Sequence, residues 1–331
     1  MADLSVKYLG LNLRNPIVAA SSGLTNSIED IKALEKHGVG AIVLKSLFEE
    51  EIIAEMKKAL AEATRPSSMY PEIWDLYDFA DAEDTVTKYL GLIEDVKKEV
   101  KIPIIASVNC VSADEWPAFA KRIEAAGADA LELNVFVMPS DMNNPSDVNE
   151  KLYFDVIEKV KKEVKIPVSL KISSYFSNLA QMIKKLSETG IEGITLFNRF
   201  FSPDIDIQLK KVTPSGEYSS PTDITNTLRW VGIMANRVSC DLAASTGIHD
   251  GAGVIKQLLA GANVVHIAST LYKNGMGRVG EMIKDMEEWM AENDYEAISD
   301  FRGMLSQSNT SDPAAYERAQ FMKHFSGKNI H

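Results

Sequence analysis

Apolar and polar positions along the chain fall into one recurring phrase. A stretch with apolar residues at helical spacing ends in Gly, and a short, almost continuous apolar run follows. Leu34-Glu35-Lys36-His37-Gly38 leads into Ala41-Ile42-Val43-Leu44-Lys45-Ser46, and Glu124-Ala125-Ala126-Gly127 leads into Ala130-Leu131-Glu132-Leu133-Asn134. Ser187-Glu188-Thr189-Gly190 precedes Gly193-Ile194-Thr195-Leu196-Phe197-Asn198, and Leu258-Leu259-Ala260-Gly261 precedes Val264-Val265-His266-Ile267-Ala268-Ser269. Gly at these points suits the left-handed residue that closes a helix. Apolar runs without strict alternation suit a parallel sheet covered on both faces. Further runs at 16–20, 102–108, 167–171 and 238–244 bring the predicted strands to eight.

One phrase is repeated almost literally. Lys97-Lys98-Glu99-Val100-Lys101-Ile102-Pro103 returns as Lys161-Lys162-Glu163-Val164-Lys165-Ile166-Pro167, 64 residues later. That distance holds two strand-plus-helix units of roughly 30 residues each. Eight such units predict an α/β fold, a closed (β/α)8 barrel forming a single domain over residues 1–331. An open, doubly wound sheet is the alternative, but no G-x-G-x-x-G follows the first strand. Two stretches break the rhythm. Residues 62–84 combine Arg65-Pro66-Ser67-Ser68-Met69-Tyr70-Pro71 with Trp74, Tyr77 and Phe79, a candidate lid insertion. Residues 202–220 carry Pro203, Asp204, Asp206, Pro214 and Gly216 after the sixth strand. Residues 281–331 read as C-terminal helices.

Composition narrows the function classes. The 331 residues are 45% hydrophobic, with a net charge of −12. That charge argues against nucleic acid and against an anionic membrane surface. Cys110 and Cys240 make neither a disulfide scaffold nor a metal spacing, and the five histidines (37, 249, 266, 324, 331) form no cluster. No signal peptide and no run of 18 apolar residues is visible, so the expected location is the cytoplasm.

In such a barrel the C-terminal strand ends converge on one mouth. Here they supply Ser21/Ser22, Lys45/Ser46, Ser107/Asn109, Asn134, Lys171, Asn198, Ser245/Thr246 and Ser269/Thr270. Two lysines, three amides and many hydroxyls suit a large neutral or anionic ligand, and do not suit metal hydrolysis or two-carboxylate chemistry. The small residues after strands seven and eight stand where barrels commonly hold phosphate.

The chain resembles the dihydroorotate dehydrogenases, FMN-dependent barrels of pyrimidine biosynthesis. The resemblance runs from about Leu9 to about Gly275. It is carried by Asn15-Pro16-Ile17-Val18-Ala19-Ala20-Ser21-Ser22-Gly23, Leu44-Lys45-Ser46, Glu132-Leu133-Asn134, Leu170-Lys171-Ile172-Ser173, Phe197-Asn198, Ser245-Thr246-Gly247-Ile248 and Ile267-Ala268-Ser269-Thr270. It implies hydride transfer from a CH–CH bond to FMN. Ala20, Ser21, Ser22, Ser46 and Asn109 would touch the flavin. Lys45, Asn134, Lys171 and Asn198 would serve both flavin and catalysis. Ser220, Ser245, Thr246, Gly247, Ala268 and Ser269 would hold the phosphate. A homodimer is the expected assembly.

The resemblance also implies a changed substrate. The family's proton-abstracting Cys or Ser stands three residues after the Asn of Glu-Leu-Asn, where this chain has Val137. The family's orotate-gripping Asn-Ser-Met-Gly-Leu-Pro-Asn loop is replaced by the Pro66 to Phe79 stretch, and a Gly-Gly before the seventh strand by Glu217-Tyr218-Ser219-Ser220. Ser140, Cys110 and Tyr77 are the candidate replacement bases, although Cys110 also reads as a small buried hydrophobe. Two further readings stay open: a phosphate-binding lyase or isomerase with Lys171 or Lys45 as Schiff-base lysine, and a flavin-binding protein without catalysis.

Overall fold

The computed structural model describes residues 2–48, 82–110, 116–135, 137–200 and 202–317, with the backbone path alone at 82–84, 110 and 116–118. An antiparallel pair, β1 (Val6–Tyr8) and β2 (Leu11–Leu13), comes first. The barrel strands follow: β3 (Ile17–Ala19), β4 (Ala41–Val43) with its short continuation β5 (Leu47–Phe48), β6 (Ile104–Cys110), β7 (Ala130–Val135), β8 (Val168–Ile172) and β9 (Gly193–Leu196). A second antiparallel pair, β10 (Ser202–Asp206) and β11 (Lys211–Ser215), precedes the last barrel strands, β12 (Asp241–Ser245) and β13 (Val264–Ile267). β3, β4, β6, β7, β8, β9, β12 and β13 pair in parallel, and contacts of β4 with β6 and of β13 with β3 close the ring. This is the predicted (β/α)8 barrel.

Local chemistry explains the repeat. The helix Ile28–His37 starts at Ser27, whose side chain accepts from Asp30 N, and ends at Gly38 with φ 107°. The helix Gly251–Ala260 starts at Asp250 and ends at Gly261 with φ 118°. The duplicated Lys-Lys-Glu-Val-Lys-Ile-Pro phrase builds the same joint twice. Lys97 pairs with Asp129, which also accepts from Ile104 N at 2.7 Å, the first residue of β6. Lys161 pairs with Glu192, which accepts from Val168 N at 2.7 Å, the first residue of β8. Each carboxylate satisfies a strand's opening N–H and a helix's closing lysine together.

Apolar side chains pack in two zones. The larger lies between strands and helices; the smaller fills the bottom of the barrel with Val18, Ala41, Val43, Ile105, Ala130, Ala243 and Val264. Tyr8, Leu9 and Leu13 from the β1–β2 pair plug that end. Leu9 N donates to Asp241 Oδ2 at 2.8 Å, and a Cβ on Gly193 would lie 2.5 Å from Leu9 Cδ2. This plug has no counterpart among the predicted elements. The predicted strand at 238–244 begins at Asp241, and the stretch 202–220 contains the β10–β11 pair. The predicted strand 41–46 stops at Val43 and resumes at Leu47. Between them Lys45 N donates to Thr25 O and Ser46 N to Ser21 Oγ. Nearly all of the predicted 62–84 lid lies outside the described residues. The C-terminal region holds the helix Arg278–Glu292 and then only short 3-10 turns as far as residue 317.

Candidate active site

A cavity of about 270 Å³ opens over the C-terminal strand ends. Ala20 and Ser21 line it after β3, Asn134 on β7, Lys171 on β8 and Asn198 after β9. Ser245, Thr246 and Gly247 enter from β12, and Ala268 and Ser269 from β13. The β7–β8 register puts Asn134 directly beside Lys171, because parallel pairing aligns residues that both point into the barrel. Lys171 is half-buried. The Asn198 amide donates to Val135 O at 3.1 Å and to Lys171 O at 3.4 Å, tying the ends of β7, β8 and β9 together. Asn134 Oδ1 is buried and has no hydrogen-bond partner, so the site keeps a polar acceptor turned away from protein donors.

The other predicted residues fall outside this cavity. Ser46 is linked to it by hydroxyl contacts: 3.0 Å to Ser21 Oγ on one side and 2.7 Å to Ser107 Oγ on the other. Lys45 is exposed and lines, with Ser46 and Tyr89, a separate space of about 520 Å³. Asn109 is buried on β6, in register with Asn134. Ser22 begins a 3-10 turn, with its hydroxyl buried and unpartnered. Cys110 ends β6 opposite Val135. Ser140 is exposed in the segment after β7, its N–H donating to Met138 O, and does not line the cavity. Val137 lines a pocket of about 210 Å³ with Tyr153 and Phe176. Tyr77 lies outside the described residues.

At the end of the cavity formed by β12 and β13 the backbone forms a cradle. Thr246 and Gly247 have φ of 81° and 78°. A Cβ on Gly247 would stand 2.1 Å from Ile224 N and 2.6 Å from the Asp223 carbonyl carbon, so only Gly fits. Ser219, not Ser220, faces this cradle. Ser219 is 3% exposed, receives Gly247 N at 3.4 Å on its hydroxyl, meets His249 Nε2 at 3.1 Å, and gives its N–H to Ser269 Oγ. Lys273 donates to Ser219 O at 2.9 Å, bringing a cation to the same corner. Ser220 turns to cap the following 3-10 turn through Thr222 and Asp223. Burial, and next the Lys273 charge, hold His249 below the ordinary imidazole value. The sequence assigns no role to Ser219, Lys273 or His249, although Ser219 and Lys273 fall within stretches that carry the family comparison; only the chain path distinguishes Ser219 from its identical neighbour. Arg199 and Glu217 also reach the cavity edge, with Arg199 donating to the Gly216 and Glu217 carbonyls.

The fold and site define a barrel whose mouth offers a lysine, the unpartnered Asn134 acceptor, the Asn198 amide and a backbone cradle of small residues. The family model for dihydroorotate dehydrogenase matches residues 3–290, and the chain belongs to that family of oxidoreductases acting on CH–CH groups. It is 28% identical to a catalytic subunit of dihydroorotate dehydrogenase B (NAD(+)) from Thermoplasma volcanium over 311 residues, covering 92% of this chain and 99% of that one. The subunit of the same name from Methanocaldococcus jannaschii is 25% identical over 287 residues (82% and 88%), and that of Bacillus mycoides 26% identical over 274 residues (81% and 86%).

Proposed function

We propose that this protein is an FMN-dependent oxidoreductase that takes hydride from a CH–CH bond of a small substrate other than dihydroorotate, and that it works as a cytoplasmic homodimer. The observation that carries the reading is the meeting, in one cavity, of Lys171, the unpartnered Asn134 acceptor and the cradle at Gly247. These groups fit FMN. The cradle at 245–247 and 268–269 suits its phosphate, with Ser219 and Lys273 behind it. Asn134 and Asn198 suit the edge of a ring rich in N–H and carbonyl groups. Lys171 suits the place where negative charge gathers on reduction. When bound, FMN supplies the hydride acceptor.

The chain's own residues would orient substrate and cofactor and move the accompanying proton. Val137 has no proton-accepting atom, and it faces Tyr153 and Phe176 rather than the cavity. Ser140 and Cys110 are alternative groups for the proton step. Glu217 is the one carboxylate among the described residues lining the cavity and is the first to replace in a search for the base. Without a base at position 137, proton abstraction from dihydroorotate forgoes roughly 10²–10⁴-fold.

The test is direct. Purified protein should be yellow, or take up one FMN per chain, and release it on denaturation. Anaerobic mixing with millimolar dihydroorotate should leave the flavin oxidised, while dithionite bleaches it. Bleaching by dihydroorotate within seconds would overturn the substrate part, and failure to bind FMN would overturn the whole reading.

A further inference from the structure

Below Lys171 the barrel interior is polar where barrels of this kind are usually filled with branched apolar side chains. Glu132 on β7 is 1% exposed and is the one buried carboxylate among the described residues. Its Oε2 accepts from Thr195 Oγ1 at 2.9 Å and stands 3.8 Å from His266 Nδ1. Tyr8 packs edge-on against His266, their ring centroids 6.0 Å apart. In the β7–β8 register Glu132 pairs with Ser169 and Asn134 with Lys171, so Glu132 lies two residues, roughly 7 Å, below the lysine.

A buried carboxylate is costly unless a cation or several donors meet it. Thr195 is a neutral donor. Burial, and next the charge of Lys171, push His266 down to about 3, so its ring is neutral near pH 7. Burial raises Glu132 while Lys171 and the Thr195 hydrogen bond oppose that rise, which makes Lys171 the cation that favours its ionised form.

We propose that Glu132 is a positioning residue acting through Lys171: its carboxylate offsets part of the ammonium's charge at the cavity floor, so that the Glu132–Lys171 pair sets the reduction potential of bound flavin. This rests on the FMN reading above. A lone ammonium would favour the reduced flavin strongly; a carboxylate beneath it moderates that preference.

The experiment is an anaerobic dithionite titration of the full-length FMN-loaded protein against a reference dye, electrons coming from dithionite and protons from solvent. Glu132→Gln keeps the size and the Thr195 contact and removes the charge. At a fixed potential its ratio of reduced to oxidised flavin should rise by on the order of tenfold. Thr195→Val removes a donor that favours the carboxylate and should shift the ratio in the same direction by less; Lys171→Gln should shift it the other way. A folded, FMN-loaded Glu132→Gln protein with the wild-type ratio overturns the proposal. So does a fall in the ratio, which would make the carboxylate an anchor for the lysine instead. Should Glu132→Gln not fold, Thr195→Val decides by the same readings. A wild-type protein that binds no FMN removes the cofactor reading itself, a result distinct from an unchanged potential.

Discussion

At the scale of single residues, Lys171 and His266 carry opposite messages about charge in the barrel. Lys171 stands one residue before the end of β8, is half-buried, and shares the cavity with Asn134 and Asn198. Lys171→Ala removes a fixed charge from the mouth and leaves the apolar zones intact. It is expected to slow flavin reduction by roughly 10²–10³ with any substrate that bleaches the wild type, and stopped-flow absorbance checks this. Equal rates would withdraw the role. His266 is a group that folding keeps neutral. Its value is about 6.5 in the unfolded chain and about 3 when folded, burial being the larger cause. The unfolded chain therefore binds the extra proton, so the contribution of His266 to stability is intact above pH 6.5 and drains as pH falls toward 3. By pH 4.5 the loss amounts to about 2–3 kcal/mol. Glu132, raised by burial, acts in the opposite sense, its contribution being full below its ordinary 4.5 and lost as pH rises. Thermal melts at pH 7 and pH 4.5 should show His266→Gln losing less on acidification than the wild type. Parallel losses would reject the linkage.

At the scale of elements, the cradle is made by three segments that meet at one glycine. Gly247→Ala would drive a Cβ into the backbone of Asp223 and Ile224, from a left-handed φ that already disfavours any side chain. The cost is about 1–3 kcal/mol, and FMN affinity should fall about tenfold or more, read by fluorescence quenching of added FMN. An affinity equal to the wild type would separate the cradle from the phosphate. The elements also show what was legible in the chain. Gly38, Gly127, Gly190 and Gly261 marked helix ends because a left-handed cap is a local demand, and all four have positive φ. The parallel strands were readable because burial on both faces leaves an apolar run. Residues at strand ends could be grouped at one mouth for the same reason. The β1–β2 plug was not readable: two three-residue strands carry no period, and Tyr8 and Leu9 are buried only once the barrel exists. His266 passed as a scattered histidine because its inward position depends on the register of β13 with β3 and β12. In the β10–β11 pair, Pro203 opposite Pro214 masked the strand signal, since Pro normally argues for an edge or a turn.

At the scale of the whole molecule, that same hairpin points to assembly. Ile205 and Val212 face each other across it, 65% and 75% exposed, while Ile207 and Leu209 in its turn are 77% and 66% exposed. Asp204 and Asp206 alternate with Ile205 along β10, and Asp206 pairs across to Lys211. The hairpin therefore has one apolar side and one charged side, and Arg199 fixes its base to Gly216 and Glu217 beside the cavity. A group of exposed apolar side chains on one hairpin is an interface in search of cover. Two-fold pairing is the commonest way for identical chains to supply it, because one patch then covers its own copy. The expectation is a homodimer, twice the chain's 36.5 kDa, in sedimentation velocity at micromolar concentration. Ile205→Asp combined with Val212→Asp should yield a monomer with an unchanged far-ultraviolet circular dichroism spectrum, because neither side chain contributes to either apolar core. A wild-type chain that sediments as a monomer would refute the homodimer, and a double variant that stays dimeric would move the interface away from the hairpin.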